Sequence, residues 1–356
     1  MLPQRPRSST SLAAFVITCE EEPTTGARLS FDQLTAYLQG HDDYLILSHS
    51  DPDGDAVGSE LGLLWVLRAL GKQAFILNSD ACPLKLRVFD PDGDLHSLED
   101  GDPVPPELGQ KILILIDTSD FQHTRRAREV LLPFGREVII IDHHTPPSQL
   151  PCPAYIDDTA AASSQIVFLL AEAFRLTPDL AAANALFMGI VYDTGSFIYP
   201  KTTPVTFRAA QQLVEWGVSP KDIHSALFET IDPARMRLLA RVQSSLKLVH
   251  DDRTALQIMT YGMIEETGAA PEDAENFINY PLKCSTILVS VFLKEVKPGF
   301  FRCSLRSKGT VDVSGLALSH GGGGHRTASG FPCPALPLAE LEGHLLQSVL
   351  DLYPKD

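Results

Sequence analysis

The chain has 356 residues, 44% of them hydrophobic and 21% charged, which is the composition of an ordinary globular protein. At about 100–200 residues per domain, this length predicts two domains. The 29 Lys and Arg against 45 Asp and Glu give a net charge of −16, which argues against binding long nucleic acid along a basic track. A short phosphorylated ligand that meets a few cations or bound metal is compatible with this charge.

The cysteine pattern and the hydropathy favour a cytoplasmic protein. The six cysteines form no Cys-x-x-Cys pair, so the pattern indicates reduced thiols rather than a disulfide framework or a zinc ribbon. No run of 18 apolar residues predicts a transmembrane helix. Residues 1–25 have too short an apolar run for a signal peptide, and we expect them to form a loose N-terminal arm.

Short apolar strands alternate with helices in the first part of the chain. The strands are predicted at 44–47, 74–78, 111–117 and 137–142. The helices are predicted at 60–71, with Ser59 as the N-cap, and at 163–174 and 178–195. Continuous apolar strands between helices are typical of a parallel sheet covered on both faces. We therefore predict a doubly wound, mainly parallel α/β domain over 26–218.

The pattern changes after about residue 230, where strand-like segments dominate. We predict a helical connector at 219–240 and a smaller α+β domain at 241–356, with the active-site cleft between the two domains. A glycine-rich segment, GGGGHRTASG at 321–330, precedes the last predicted helix. It is either a flexible linker or a loop that approaches a phosphate closely, and Arg302, Arg306 and Lys308 upstream favour the loop.

Acidic and imidazole side chains follow the strands of the first domain. They are His49, Asp53, Asp55, Asp117, Asp142, His143 and His144, and Asp193 follows an apolar helix. Each alone is an ordinary cap or polar residue, but ligands of α/β sheets bind at the carboxyl ends of strands, where these side chains meet. So many carboxylates would repel one another without cations. Nitrogen and oxygen ligands without thiolate suit Mn²⁺ or Mg²⁺, and their number suits two ions.

Four motifs carry a resemblance to a known family. They are HSDPDGDAVGS, LIDTSD, IDHH and YDTGSF, and SLRSK followed by GGGGHRTASG accompanies them. Over roughly 30–335 the chain resembles the DHH phosphoesterase family with a GGGH-type DHH-associated C-terminal domain. Its length is similar to that of the two-domain members that degrade short RNA and dephosphorylate 3′-phosphoadenosine 5′-phosphate.

The resemblance implies a role for each motif residue. One ion would be held by His49, Asp53 and Asp117, and the other by Asp55, Asp117, His143 and Asp193. His144 would face the scissile phosphate, and Asp142 would orient the imidazoles. The substrate would be held by Arg306, Gly322, Gly323, Gly324 and His325. Manganese is the expected ion, with magnesium or cobalt as alternatives.

The expected function is a two-metal phosphoesterase that hydrolyses short oligoribonucleotides to mononucleotides and removes the 3′-phosphate of 3′-phosphoadenosine 5′-phosphate. A phosphodiesterase for cyclic di-AMP or linear dinucleotides would use the same site. A non-catalytic nucleotide-binding regulator is disfavoured because every ligand is present. The second half argues against a family II pyrophosphatase, and the length against a RecJ-type exonuclease. The expected partners are short RNA or nucleotides, without long nucleic acid or a membrane, and the resemblance implies a homodimer.

Overall fold

The computed structural model describes residues 26–353, and the predicted arm at 1–25 lies outside them. The chain divides into two compact units, with the boundary between Thr230 and Ile231. This boundary falls inside the predicted connector 219–240, and the predicted domain limits stay predictions. None of the described helices combines the length and the apolar character needed to cross a membrane.

The first unit is built on a parallel sheet. Its strands are β1 (Tyr44–Leu47), β2 (Ala74–Asn78), β3 (Leu95–Ser97), β4 (Ile112–Ile116), β5 (Glu137–Asp142) and β6 (Ala154–Ile156). The strand order is β3-β2-β1-β4-β5-β6, and every pairing is parallel. The chain runs outward in one direction from β1 and in the other from β4, so the switch point of the sheet lies between these two strands.

Helices cover both faces of this sheet. The α-helices are α1 (Phe31–Gly40), α2 (Gly54–Ala69), α3 (Arg126–Val130), α4 (Ser163–Ala173), α5 (Leu180–Asp193), α6 (Pro204–Glu215) and α7 (Pro220–Phe228). Short 3₁₀ helices lie at Arg87–Phe89, Leu108–Gln110, Phe121–Thr124 and Leu132–Phe134. Ile46 and Ile114 face one core with α2, α4 and α5, whereas Leu45 and Leu113 face the other with α3. The predicted doubly wound α/β fold is therefore confirmed.

Helix α2 begins earlier than the sequence predicts. The expected N-cap was Ser59, but the helix starts at Gly54 and Asp53 is its N-cap. The Asp53 Oδ1 atom accepts the N–H groups of Asp55 and Ala56 at 2.9 and 3.1 Å. Carboxylates are favourable in the first turn of a helix because the free N–H groups carry positive partial charge. The acidic segment is thus the start of the helix rather than a loop before it.

The second unit is built on a mixed sheet. Its strands are β7 (Lys247–Val249), β8 (Thr254–Met259), β9 (Val289–Lys297), β10 (Phe300–Ser307), β11 (Gly323–His325) and β12 (Ala328–Pro332). Their order is β11-β12-β10-β9-β8-β7, and only β8 and β9 pair in parallel among these described strands.

Helices again cover both faces of this second sheet. The α-helices are α8 (Pro233–Ser244), α9 (Tyr261–Thr267), α10 (Ser314–Ser319) and α11 (Leu338–Leu350), with 3₁₀ turns at Pro271–Ala274, Phe277–Asn279 and Pro281–Lys283. Val291 and Leu305 pack with Leu345 of α11 on one face, and Phe292 packs with Leu238 of α8 on the other. This is the α+β character that the sequence predicts.

The glycine-rich segment forms a hairpin, so neither a linker nor a loop describes it. Strand β11 pairs with β12, and β12 pairs with β10. A Cβ atom on Gly322 would lie 2.2 Å from the carbonyl oxygen of Gly330, and Gly324 has φ +138°. The glycines are therefore needed for strand packing and backbone conformation.

Candidate metal centre

The candidate site lies at the carboxyl edge of the first sheet. His49 follows β1 and Asp117 follows β4, so the two side chains meet at the switch point between these strands. The turn after β5 adds His143 and His144 at the same edge. Helix α5 contributes Asp193, its last residue.

The first group of side chains consists of His49, Asp53 and Asp117, whose ligand atoms all lie within 4.8 Å of one another. The Nε2 atom of His49 is 3.6 Å from Oδ2 of Asp117. Its Nδ1 atom contacts the carbonyl oxygen of Ser50 at 2.8 Å. A carbonyl only accepts, so Nδ1 carries a proton whatever the charge of the ring, and Nε2 is the nitrogen that faces the group.

The second group consists of Asp55, His143 and Asp193 within the same 4.8 Å limit. The Nε2 atom of His143 lies 3.7 Å from Oδ2 of Asp55, 3.4 Å from Oδ1 of Asp117 and 3.2 Å from Oδ2 of Asp193. Asp117 therefore contacts both groups, through Oδ2 in the first and Oδ1 in the second. A carboxylate in this position can bridge two cations.

Asp117 holds this position with an unusual backbone conformation. Its φ angle is +63°, which lies in the left-handed region that residues with a Cβ rarely occupy. The Ser163 hydroxyl donates to its Oδ1 atom at 2.9 Å. Strained backbone of this kind persists only where surrounding contacts fix it, and such sites are often functional.

Asp55 is fixed by the start of another helix. The backbone N–H groups of Ser163 and Ser164 donate to its two carboxylate oxygens at 2.5 and 2.9 Å, so Asp55 caps helix α4 from outside. Helices α2 and α5 approach closely beside it. A Cβ atom on Gly58 would lie 2.4 Å from the carbonyl oxygen of Ala185, and this spacing fits only glycine.

The Asp142-His143-His144 turn orders one imidazole through its aspartate. Asp142 is fully buried, and its Oδ1 atom accepts the N–H groups of His143 and His144 and contacts His144 Nδ1 at 2.8 Å. The ring of His143 instead contacts the carbonyl oxygen of Ala160 at 3.4 Å. Asp142 thus contacts the backbone of both histidines and the ring of His144, and its predicted role in orienting both imidazoles stays a prediction.

The pKa values report strong interaction within the cluster. Burial raises the pKa of Asp55 well above its ordinary value and that of Asp193 to about 6. Burial also acts to raise the pKa of Asp117, but contacts with His143 and His49 outweigh it and hold that pKa below its usual range. Burial acts to lower the pKa of each of these two histidines, but Asp117 and its neighbours raise both to about 9. The carboxylates thus draw positive charge into the cluster.

The donor chemistry of the cluster fits divalent cations. The His143 Nε2 atom is buried without a hydrogen-bond partner among residues 26–353, although three carboxylates surround it. With Nδ1 donating to Ala160, a neutral ring would point the lone pair of Nε2 at negative oxygens, which is unfavourable unless a proton or a metal cation lies between them. Imidazole and carboxylate ligands suit Mn²⁺, Mg²⁺ and similar ions.

The cluster opens into a cavity of about 600 Å³. The predicted residues His49, Asp53, Asp117, His144 and Asp193 line it. The other lining residues were not predicted, and they are Ser50, Thr118, Ser119, Asp120, His123, Thr145 and Pro147. Their position within or just after the recognised motifs is the feature of the sequence that could have identified them.

The predicted substrate residues of the second unit lie on its glycine hairpin and the adjacent strand. Arg306 of β10 pairs with Ala328, which in turn pairs with His325 of β11. Directly paired residues point to the same face of a sheet, so Arg306 and His325 flank Ala328 on one face. Their role in substrate binding, and that of Gly322, Gly323 and Gly324, stays a prediction.

Comparisons with known proteins identify the family of the chain. Residues 43–190 match the N-terminal domain of the DHH family. The chain is 31% identical to the bifunctional oligoribonuclease and PAP phosphatase NrnA of Thermus thermophilus over 304 residues, 85% of this chain and 88% of that protein. The chain therefore belongs to the DHH family, as its motifs predict.

Two further relatives extend the comparison. The crystal structure of an exopolyphosphatase-related protein from Bacteroides fragilis superposes with a TM-score of 0.72 at 26% identity, over 90% of this chain and 95% of that one. The cyclic-di-AMP phosphodiesterase PdeA of Listeria monocytogenes is 24% identical over 353 residues, 94% of this chain but 51% of that protein. The chain thus spans about half the length of PdeA.

Proposed function

We propose that the chain is a metal-dependent phosphoesterase that hydrolyses short oligoribonucleotides to mononucleotides and removes the 3′-phosphate of 3′-phosphoadenosine 5′-phosphate. The observation that carries this proposal is the pair of ligand groups joined by Asp117, which lines the cavity together with His49, Asp53 and Asp193. The choice of substrates is supported by the similarity to the Thermus thermophilus relative over most of both chains.

Two divalent cations would be held by the two groups, His49, Asp53 and Asp117 in one and Asp55, Asp117, His143 and Asp193 in the other. Such a pair supplies Lewis acidity that activates water and neutralises charge on a phosphate. Manganese is proposed as the preferred ion, with magnesium and cobalt as the alternatives. The residues provide the geometry, because Asp117 and Asp55 are fixed by Ser163 and by the start of α4.

His144 is proposed to contact the substrate phosphate. Its side chain is 55% exposed, whereas its partner Asp142 is fully buried. Contact with Asp142 raises the pKa of His144, which favours the protonated ring. With Nδ1 held by Asp142, the Nε2–H group is free to donate to a phosphate oxygen at the mouth of the cavity.

A cyclic di-AMP phosphodiesterase is the alternative within the same chemistry. It is less well supported, because PdeA is less similar and is about twice as long as the region matched here. The two functions differ in substrate, so one set of assays separates them. The net charge of −16 supports short substrates in either case, since an acidic exterior gains little from additional phosphates.

The test compares purified protein with its Asp117→Ala variant in the presence of Mn²⁺. We expect the native protein to hydrolyse a 5′-phosphorylated diadenylate and 3′-phosphoadenosine 5′-phosphate faster than cyclic di-AMP or pyrophosphate. The variant should lose turnover and bound Mn²⁺, because Asp117 contacts both ligand groups. The exposed Asp92, varied to Ala, is the matched control and should behave as native. Near-native turnover by Asp117→Ala would contradict the two-ion site, and faster hydrolysis of cyclic di-AMP would favour the alternative.

A further inference from the structure

The cavity contains an imidazole that the proposed ligand groups leave unused. His123 lines the cavity together with His49 and His144. Among the described residues that line it, none is a lysine or an arginine, so imidazoles are the side chains there that can carry positive charge. A phosphate ester brings several anionic oxygens, and those that do not meet a cation need hydrogen-bond donors.

The ring of His123 is oriented by Thr118. The Thr118 Oγ1 atom lies 3.2 Å from His123 Nδ1, and it accepts the N–H group of Asp120 at 3.3 Å. With its oxygen accepting from Asp120, the hydroxyl proton of Thr118 is available for Nδ1. When Nδ1 accepts this proton, the neutral ring carries its own proton on Nε2, and the protonated ring also carries a proton there. Nε2–H is therefore the donor left for a ligand.

The backbone of His123 is hydrogen-bonded to the HSDPDGDAVGS motif, which contains His49. Its carbonyl oxygen accepts the N–H group of Ser50 at 2.6 Å, next to His49. The carbonyl of the following residue, Thr124, accepts the hydroxyl of Ser79. These contacts fix the position of His123 relative to the ends of strands β1 and β2.

The next residue, Arg125, adds side-chain contacts between this turn and the residues that follow β1 and β2. Its guanidinium contacts Asp51 at 2.5 Å and Asp80 at 3.0 Å. Arg125 and Asp51 have φ angles of +43° and +52°, both in the left-handed region. The turn thus adopts an unfavourable backbone conformation that its contacts maintain, and this conformation sets His123 against the cavity.

We propose that His123 is a substrate-binding residue, whose Nε2–H group donates to a phosphate oxygen of the bound nucleotide. This inference rests on the proposed function, because it requires a phosphate ester in the cavity. It assigns to His123 a role separate from that of His144, which Asp142 orients from another strand end. The two imidazoles would contact the same substrate from the β4 and β5 sides of the cavity.

The experiment uses a pair of variants that differ in the position of one donor. In His123→Gln the side-chain amide nitrogen reaches the position of Nε2, whereas in His123→Asn it reaches only that of Nδ1. We expect His123→Asn to raise KM for 3′-phosphoadenosine 5′-phosphate and the diadenylate about tenfold, the size of one hydrogen bond to a charged group, and His123→Gln to recover most of this loss. Bound Mn²⁺ should not change in either variant. His224→Asn, an exposed histidine of α7, is the control.

Binding of adenosine 5′-monophosphate to the Mn²⁺-loaded proteins, measured by calorimetry, separates this inference from the proposed function. Weaker binding by His123→Asn than by native protein and His123→Gln supports the contact, even if no tested substrate is hydrolysed and the proposed function fails. Equal binding by all three proteins overturns the contact, whatever the turnover. Loss of Mn²⁺ in His123→Asn would also overturn it, since His123 would then act through the metal centre.

Discussion

The sequence Asp-Pro-Asp-Gly-Asp occurs twice in this chain, at 51–55 and at 90–94, and the two copies have different structures. The first copy begins helix α2, with its middle aspartate as the N-cap. The second forms a turn before β3, in which the Asp90 carboxylate accepts the N–H groups of Asp94 and Leu95 at 2.9 and 3.0 Å. Five identical residues therefore specify a helix start in one place and a turn in the other.

The last aspartate shows the difference most clearly. Asp55 is fully buried near the switch point of the sheet between β1 and β4, and its carboxylate lies close to His143 and Asp193. Asp94 has a 24% exposed side chain, and it makes a two-point ion pair with Arg68. The charge of a partly exposed carboxylate is stabilised by solvent and by an ion-pair partner. A buried carboxylate among other carboxylates requires a cation to balance its charge. The surroundings of the motif, more than its sequence, define the candidate metal centre.

The largest difference in activity between variants of the two copies should come from removing the negative charge of the last aspartate. We expect Asp55→Asn to lower kcat/KM for short substrates by about 10³-fold and to reduce bound Mn²⁺, because a ligand to a cation supplies several kcal/mol. Asp94→Asn, the matched control, should leave activity within about twofold and change the free energy of unfolding by about 1 kcal/mol or less. Steady-state kinetics and metal analysis of both variants make the comparison. Equal effects of the two substitutions would show that the first copy has no special role.

A buried glutamate behind the first copy should make folding stability depend on pH. Glu60 is fully buried in α2 and accepts the Asn78 amide at 3.0 Å, and Asn78 in turn accepts the N–H group of Ser48 at 2.9 Å. Burial raises the pKa of Glu60 from 4.5 to about 7. The folded chain therefore retains a proton that the unfolded chain releases, and stability is lost as the pH rises from about 4.5 to 7.

We expect this loss to amount to at most about 3 kcal/mol in the metal-free protein. In Glu60→Gln this side chain has no titratable carboxyl group and does not cause the loss. The free energy of unfolding of the variant should therefore rise relative to that of native protein between pH 5 and pH 8. Urea unfolding of both proteins at the two pH values measures this difference, and Asp94→Asn in the second copy is the control that should not alter the slope. Parallel pH curves for native protein and Glu60→Gln would rule out the buried glutamate as the source.

The sequence predicts the strands and the cluster well for one reason. Apolar runs such as 112–116 are long enough to specify buried strands, and in a parallel sheet the residues that follow them share an edge. Asp117 and His143 could thus be placed together without knowing any contact between them. The resemblance to the DHH family supplied the roles, which stay predictions, and the fold brings the predicted ligand residues together in two groups that could each hold a metal ion.

The errors and omissions arise where tertiary contacts decide. Ser59 has the character of an N-cap, but the pairing of Gly58 with α5 keeps this segment inside the helix. The glycines at 321–324 carry no strand signal, and it is pairing with β12 that makes Gly323 and Gly324 part of a hairpin. His123 and Glu60 have no periodic pattern of their own. The environment of Glu60 depends on its contact with Asn78, 18 positions away. That of His123 depends on the backbone contact with Ser50 as well as on the nearby Thr118.

Substitution of the glycine in each copy should give the smallest effects, and for different reasons. A Cβ atom on Gly54 would lie 2.5 Å from Cγ of Tyr192, the residue before Asp193, so Gly54→Ala must displace that ring. Gly93 has φ +72° with open space around it, so Gly93→Ala meets only backbone strain. We expect Gly54→Ala to lower kcat/KM about tenfold by shifting Asp193, and Gly93→Ala to cost about 1 kcal/mol of stability without changing activity. Gly93→Asn should cost less than Gly93→Ala, because asparagine tolerates the left-handed region better. Kinetics and urea unfolding of the three variants test this division. A fully active Gly54→Ala would show that Asp193 keeps its place without close contact between the start of α2 and the end of α5.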